Sequence, residues 1–340
     1  MAEIVLGIGS AHTPQLHTMA KDWHIRGNRD MQDGVPFFYK GERMKYAELE
    51  KARAADGFRA EVNLEEGQRT LEKCYQTIDE LHETFKAANI DVAVIFGNDQ
   101  REIFKNDLRP AFTVMACDEF VNKPRTDEQK TRLPPGIEIS DHGHLPDDEI
   151  VLKGAPELGL QVVDSLIEDE FDIAISTEQH FPPEEVSELG GMPHAYGFIY
   201  KQIIRNNHLP TLPVDLNTFC PPNQPRVGRC IDFGKAVGKA ILNWESDARV
   251  ALIATGGMSH FVVEPEFDHK IINAMIDHDW DHIRSYHNGH FQAGNSEIKS
   301  WIACSAALAE AGLAGKLVDY QTLYRTPGGT GSSCCFMTWE

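Results

Sequence analysis

Five places along the chain carry side chains able to hold a metal ion or move a proton near neutral pH. The apolar run Val250–Thr255 breaks on Gly256-Gly257 and delivers His260 just beyond it. His12 follows the short apolar run Glu3–Ile8 in Gly9-Ser-Ala-His12-Thr-Pro14. A third run, Asp91–Phe96, ends in Gly97-Asn98-Asp99-Gln100-Arg101-Glu102. His194 stands in Gly190-Gly-Met-Pro-His194 and Glu297 in Ala293-Gly-Asn-Ser-Glu297, each opening a helical pattern. Histidine is the side chain that titrates at physiological pH. Two histidines and a carboxylate with open coordination positions form the donor set of mononuclear non-haem Fe(II) sites. No HExxH motif is present, so such ligands must converge through the fold, and spacing alone leaves metal-dependent hydrolysis equally open.

Each of these residues also has a structural reading. Asn98, Asp99 and Gln100 are residues of the kind that make turns. Glu297 in a first helical turn, behind a Ser296 or Asn295 cap, is stabilised by the helix dipole. The same dipole disfavours a charged His194 and predicts a neutral, hydrogen-bonding ring. His142 and His144 form an HxH pair, but the polar, Pro-rich stretch 123–149 around them reads as an irregular surface segment without a third ligand. His278, His282, His287 and His290 fit an exposed helix and loop.

The elements that must position these groups alternate between strand and helix. Besides the three runs above, strands are predicted over 110–116, 171–176, 212–216 and 316–320, and the chain closes on the apolar stretch 334–339. Helices are predicted over 63–88, 157–168, 194–204, 229–244, 266–278 and 297–313 from apolar positions at helical spacing. This predicts an α/β fold with a central mixed sheet flanked by helices and the active site at the strand ends, where open α/β sheets bind ligands. No domain boundary interrupts it, so residues 1–340 read as one catalytic domain. Residues 19–61, with some helix around 45–55, form an excursion that suits a lid or interface element.

The 340 residues are 41% hydrophobic and 25% charged, as in a globular protein, and the formal net charge is −20. That charge argues against nucleic acid and against an anionic membrane surface. It also means that an anionic substrate needs local cationic groups. No run approaches the length of a bilayer span, and the first residues carry no secretion signal. The seven scattered cysteines form no CxxC pair, which fits a reduced, cytoplasmic setting. There is no GxSxG and no P-loop, which counts against serine hydrolase and nucleotide chemistry.

Taken in order, these stretches resemble the catalytic subunit of class III extradiol ring-cleavage dioxygenases of the protocatechuate 4,5-dioxygenase type. They are most similar to its 3-O-methylgallate/gallate dioxygenase-like branch. The matching stretches include Gly9–Pro14, Gly97–Glu102, Gly191–Phe198, Asn217–Pro225, Thr255–Val263, Asn295–Trp301 and Tyr324–Gly331. The resemblance implies an Fe(II) enzyme that opens a catechol-type ring (gallate, 3-O-methylgallate or protocatechuate-like) with O₂. It implies His12 and Glu297 as iron ligands, His260 as the acid/base and His194 as a second active-site histidine beside the substrate. Where the family's second histidine ligand follows an Asn-Asp or Pro-Asp pair, this chain has Gln100 after Asn98-Asp99. Three alternatives follow: Gln100 or Asp99 coordinates, His17 or His24 substitutes, or the site no longer binds iron. The third would make the chain a non-enzymatic binding or signalling homologue. Arg325, with Thr330 in the Gly-Gly-Thr-Gly loop, is the candidate for a substrate carboxylate. A homodimer is the expected assembly, with residues 19–61 as the lid.

Overall fold

The computed structural model describes residues 1–32, 34–182 and 187–340. Among the described residues, nine strands build the central sheet: β1 (Glu3–Ser10), β2 (Val92–Gly97), β3 (Phe112–Met115), β4 (Ala174–Ser176), β5 (Thr211–Leu216), β6 (Arg249–Thr255), β7 (His260–Val262), β8 (Gly315–Tyr324) and β9 (Thr330–Trp339). Their order is β7-β9-β1-β6-β2-β5-β3-β4, with β8 also paired to β9. The sheet is mixed, as the sequence predicts. Strands β1, β6, β2 and β5 run parallel, while β9 runs antiparallel to β1, β7 and β8.

The parallel block reads as unbroken apolar runs because both of its faces are covered. Successive side chains point to opposite faces. Val92, Val94 and Phe96 of β2 therefore pack in one core, and Ala93 and Ile95 in the other. The first core takes the helices Pro156–Glu168, Val227–Leu242, Pro265–Ile276 and Ile298–Glu310. The second takes Leu71, Cys74, Ile78, Leu81 and Phe85 of the helix Leu64–Ala87. That helix starts where Asn63 Oδ1 accepts from the Glu66 amide at 2.9 Å, a side-chain cap for an otherwise unpaired donor.

The excursion predicted over 19–61 is an ordered layer wherever it is described; position 33 lies outside the described residues. It consists of the helix Trp23–Asp30, the hairpin Pro36–Tyr39/Glu42–Lys45 and the helix Tyr46–Ala52. Phe37, Tyr46 and Leu49 pack on Val262, and Phe58 packs on Val263 and Tyr324.

The segment 123–149 is not the surface stretch that its polarity suggests. Ser140, Gly143 and His144 are buried, because the segment folds back against the loop that follows β1. His142 is exposed and His144 is not, so the HxH pair splits between solvent and interior and cannot chelate. The histidines from 278 to 290 lie on exposed or half-buried helix and loop positions.

Candidate metal centre

Parallel strands deliver their carboxyl ends to one edge of the sheet, and the chemistry-bearing residues collect there. His12 lies just past β1, Gln100 and Glu102 just past β2, and Gly256-Gly257 just past β6. Gly256 has φ +139°, and a Cβ on it would lie 2.9 Å from the Glu297 Cβ. Only glycine lets the β6 turn pass this close to that carboxylate.

Glu297 closes the 3₁₀ turn Ala293–Glu297 and occupies the N-cap position of Ile298–Glu310, but its side chain does not cap the helix. Its Oε2 accepts from the Gly257 amide at 2.7 Å, and its Oε1 accepts from Gln100 Nε2 at 2.5 Å. The expected caps are engaged elsewhere. Asn295 Oδ1 accepts from the His260 amide at 2.8 Å, and Ser296 Oγ donates to Thr218 Oγ1.

Among the described residues, His12, His194 and Glu297 form the group able to hold a metal ion, each offering a ligand atom within 4.8 Å of the others. His12 Nδ1 contacts Thr255 Oγ1 at 2.7 Å, and Thr255 Oγ1 donates to the Ala195 carbonyl. The hydroxyl therefore accepts from Nδ1–H, leaving a lone pair on His12 Nε2. That nitrogen is buried, lacks a hydrogen-bond partner among the described residues and lies 3.4 Å from Glu297 Oε2. An orphaned imidazole nitrogen facing a buried carboxylate fits a cation between them. His260 Nε2 approaches the same Oε2 at 3.4 Å, while its Nδ1 meets the Met258 carbonyl at 3.0 Å.

Burial works against a charged Glu297, but His260 and His12 outweigh it and hold the carboxyl well below its usual range. For His12, burial wins over the pull of Glu297 and lowers the ring, keeping it a neutral donor. His194 departs from the sequence expectation. Burial lowers it, yet the adjacent Glu102 carboxylate more than compensates and raises it. A nearby full charge at hydrogen-bond distance outweighs a helix dipole.

The other predicted site residues separate. Arg325 Nε donates to Asp30 Oδ2 at 2.7 Å, and Thr330 Oγ1 donates to the same oxygen at 2.7 Å. Neither lines the cavity beside the donors. Arg325 is thus committed to an internal ion pair with the excursion instead of facing a substrate. His17 does line the cavity, but burial drops its ring to about 3 and its Nδ1 is bonded to Tyr75 Oη. His24 is exposed and tied to the Lys21 carbonyl. Asp99 is a turn residue, its carboxylate accepting from the amides of residues 101 to 104.

The cavity has a volume of about 190 Å³ and is lined by His12, His194, His260 and Glu297 together with Phe261 and Arg26. Reading of the sequence missed two of its features. Arg26 comes from the excursion, where no local pattern announces it, and His144 belongs to the HxH pair, whose polar stretch conceals the burial of that side chain. A larger cavity of about 740 Å³ opens at the opposite ends of the strands, near Asp91, Pro210 and Ala248. It contains none of the metal-capable group, so its size does not make it the reactive site.

Residues 61–333 match the family described as the catalytic LigB subunit of aromatic ring-opening dioxygenase. The chain is also similar to a gallate dioxygenase of Pseudomonas putida, 26% identical over 145 residues. That alignment covers 41% of this chain and 40% of the relative, so the chain spans about two fifths of the length of the curated protein it matches.

Proposed function

Because the chain belongs to the family of catalytic LigB subunits of aromatic ring-opening dioxygenases, we propose that it is an Fe(II)-dependent extradiol dioxygenase opening a catechol-type ring with O₂. The observation that carries this reading is the buried His12, His194 and Glu297 group beside His260 at a small cavity. Its two imidazoles and one carboxylate match the donor set that leaves open positions on non-haem Fe(II). Iron bound there would supply adjacent positions for the ring hydroxyls and for O₂.

In this reading the chain's own groups hold, orient and move protons. Gln100 and the Gly257 amide fix both oxygens of Glu297, and Thr255 fixes the His12 ring. Where the sequence suggested Gln100 as a ligand and His194 beside the substrate, we propose that His194 completes the donor set and Gln100 orients Glu297. His260, with Nδ1–H turned to Met258, presents Nε2 to the cavity. It takes a proton from the substrate hydroxyl and returns it as the ring opens, the work of a positioned general base and acid. Phe261, Leu133 and Ile137 line the walls and limit water. The cavity is smaller than a typical drug-sized pocket, which suits one ring of the gallate, 3-O-methylgallate or protocatechuate kind.

The test is O₂ uptake by protein loaded anaerobically with Fe(II) and offered those three acids. Uptake that requires iron and disappears in His260→Ala supports the reading. Iron bound without uptake on any catechol sinks it.

A further inference from the structure

The chain carries a large negative charge, yet the cavity wall contains an under-neutralised cation. Arg26 lies on the helix Trp23–Asp30 and lines the same cavity as His12, His194, His260 and Glu297. Its Nη1 is shielded from solvent and has no hydrogen-bond partner among the described residues. A buried guanidinium nitrogen without an acceptor is costly, and such a group is suited to a ligand that supplies the acceptor.

The neighbouring charges explain why Arg26 is unsatisfied. Asp30, one helical turn along, gives its Oδ2 to Arg325 and Thr330, so one carboxylate faces two arginines. The other arginine of the cavity wall, Arg125, is paired through Nη1 with Asp141 and donates from Nε to the Glu188 carbonyl. Burial and the Arg325 charge lower Arg26 to about 9, against the opposing pull of Asp30. It is therefore still a cation at neutral pH, in a place that disfavours one.

We propose that Arg26 recognises a carboxylate on the ring substrate, so that the cavity selects anionic over neutral catechols. A planar guanidinium matches a carboxylate's two oxygens. This assigns to the excursion a specificity-determining residue and moves that role from Arg325, which Asp30 occupies. The choice of a catechol rests on the ring-opening reading; the anion preference does not.

The experiment is anaerobic titration calorimetry with protocatechuate and its methyl ester, with and without Fe(II). The native chain is expected to favour the acid by about ten- to hundredfold, the range for a hydrogen bond to a charged group. Arg26→Gln should erase that preference while leaving the ester's affinity within about twofold, and Arg26→Lys should restore part of it. A native chain that binds acid and ester alike, or fails to bind the acid in either state, overturns the proposal, as does an Arg26→Gln protein that keeps the preference. Should Arg26→Gln not fold, salt dependence in the native chain decides. Acid binding must weaken with ionic strength while ester binding does not, and equal responses overturn the proposal. O₂ uptake on the ester separates the two readings: ring opening without acid preference sinks Arg26 alone, and acid preference without ring opening sinks the dioxygenase alone.

Discussion

Glu102 holds His194 at two points: its Oε2 lies 2.7 Å from His194 Nδ1, and its Oε1 accepts from the His194 amide at 3.1 Å. The carboxylate keeps a proton on Nδ1 and turns Nε2 toward His12 and Glu297. Outer partners of this kind orient ligands and typically contribute about 10–100-fold to metal affinity. Glu102→Gln is therefore expected to weaken Fe(II) or Zn(II) binding by about that factor in a chelator competition. Unchanged affinity would leave His194 outside the donor set.

The same pair predicts a pH dependence in the metal-free protein. His194 is raised above its ordinary 6.5, so its contribution is full below 6.5 and disappears as pH climbs through the raised value. Glu102 is lowered from its ordinary 4.5, burial opposing but His194 prevailing. Its contribution is full above 4.5 and disappears as pH falls through the lowered value. The Tm loss caused by Glu102→Gln should therefore be larger at pH 5.5 than at pH 8. Equal losses at both pH values would contradict this.

Gln100 and His194 make opposite predictions for metal content. His194→Gln should yield protein with little iron by elemental analysis. Gln100→Ala should retain most of its iron while losing activity, because Glu297 Oε1 then loses its anchor while Gly257 still holds Oε2. The reverse pattern would make Gln100 the ligand.

His260→Ala should lower ring opening by about 10²–10⁴-fold, the usual worth of a positioned acid/base, with iron still bound. Loss of iron together with activity would make His260 a ligand instead.

Lys299 is fully buried on Ile298–Glu310 with no partner for its Nζ among the described residues, and burial lowers it to about 8. The unfolded chain binds the extra proton between that value and 10.5, so stability should rise with pH across this interval. Lys299→Met removes the unpaired group and should stabilise the protein by about 1–3 kcal/mol at pH 7. The gain should shrink by pH 10.5. Denaturant unfolding measures both.

The sequence disclosed most of what depends on local pattern. Apolar runs broken by Gly97, Gly256 or the His12 turn marked the parallel strands and the edge where their ends meet. Asn63 marked the start of a long helix. His12, His194, His260 and Glu297 were legible because each follows such a punctuation point. What stayed hidden depends on pairs distant along the chain. Asp30 and Arg325 lie 295 residues apart, and without Asp30 in view Arg325 reads as a free cation while Arg26 is invisible. Glu297 reads as a first-turn acid stabilised by the helix dipole; only Gly257 and Gln100, brought in by other strands, reveal that its carboxylate turns toward the site. His144 sat in a polar stretch whose burial comes from the β1 loop.

Strand β9 is shared by both halves of the site. Ser332 lies opposite His260 in the β7–β9 ladder and bonds Thr13, the residue after His12, at 2.8 Å, while Phe336 and its successors pair with β1. The separation of the two histidines is thus written into the hydrogen-bond register of a single strand, not left to loops or to an ion. Such a framework is preorganised: little conformational freedom remains to be lost when a cation arrives. The ligand His12 and the acid/base His260 are thereby set at their mutual distance before a cation or a substrate arrives.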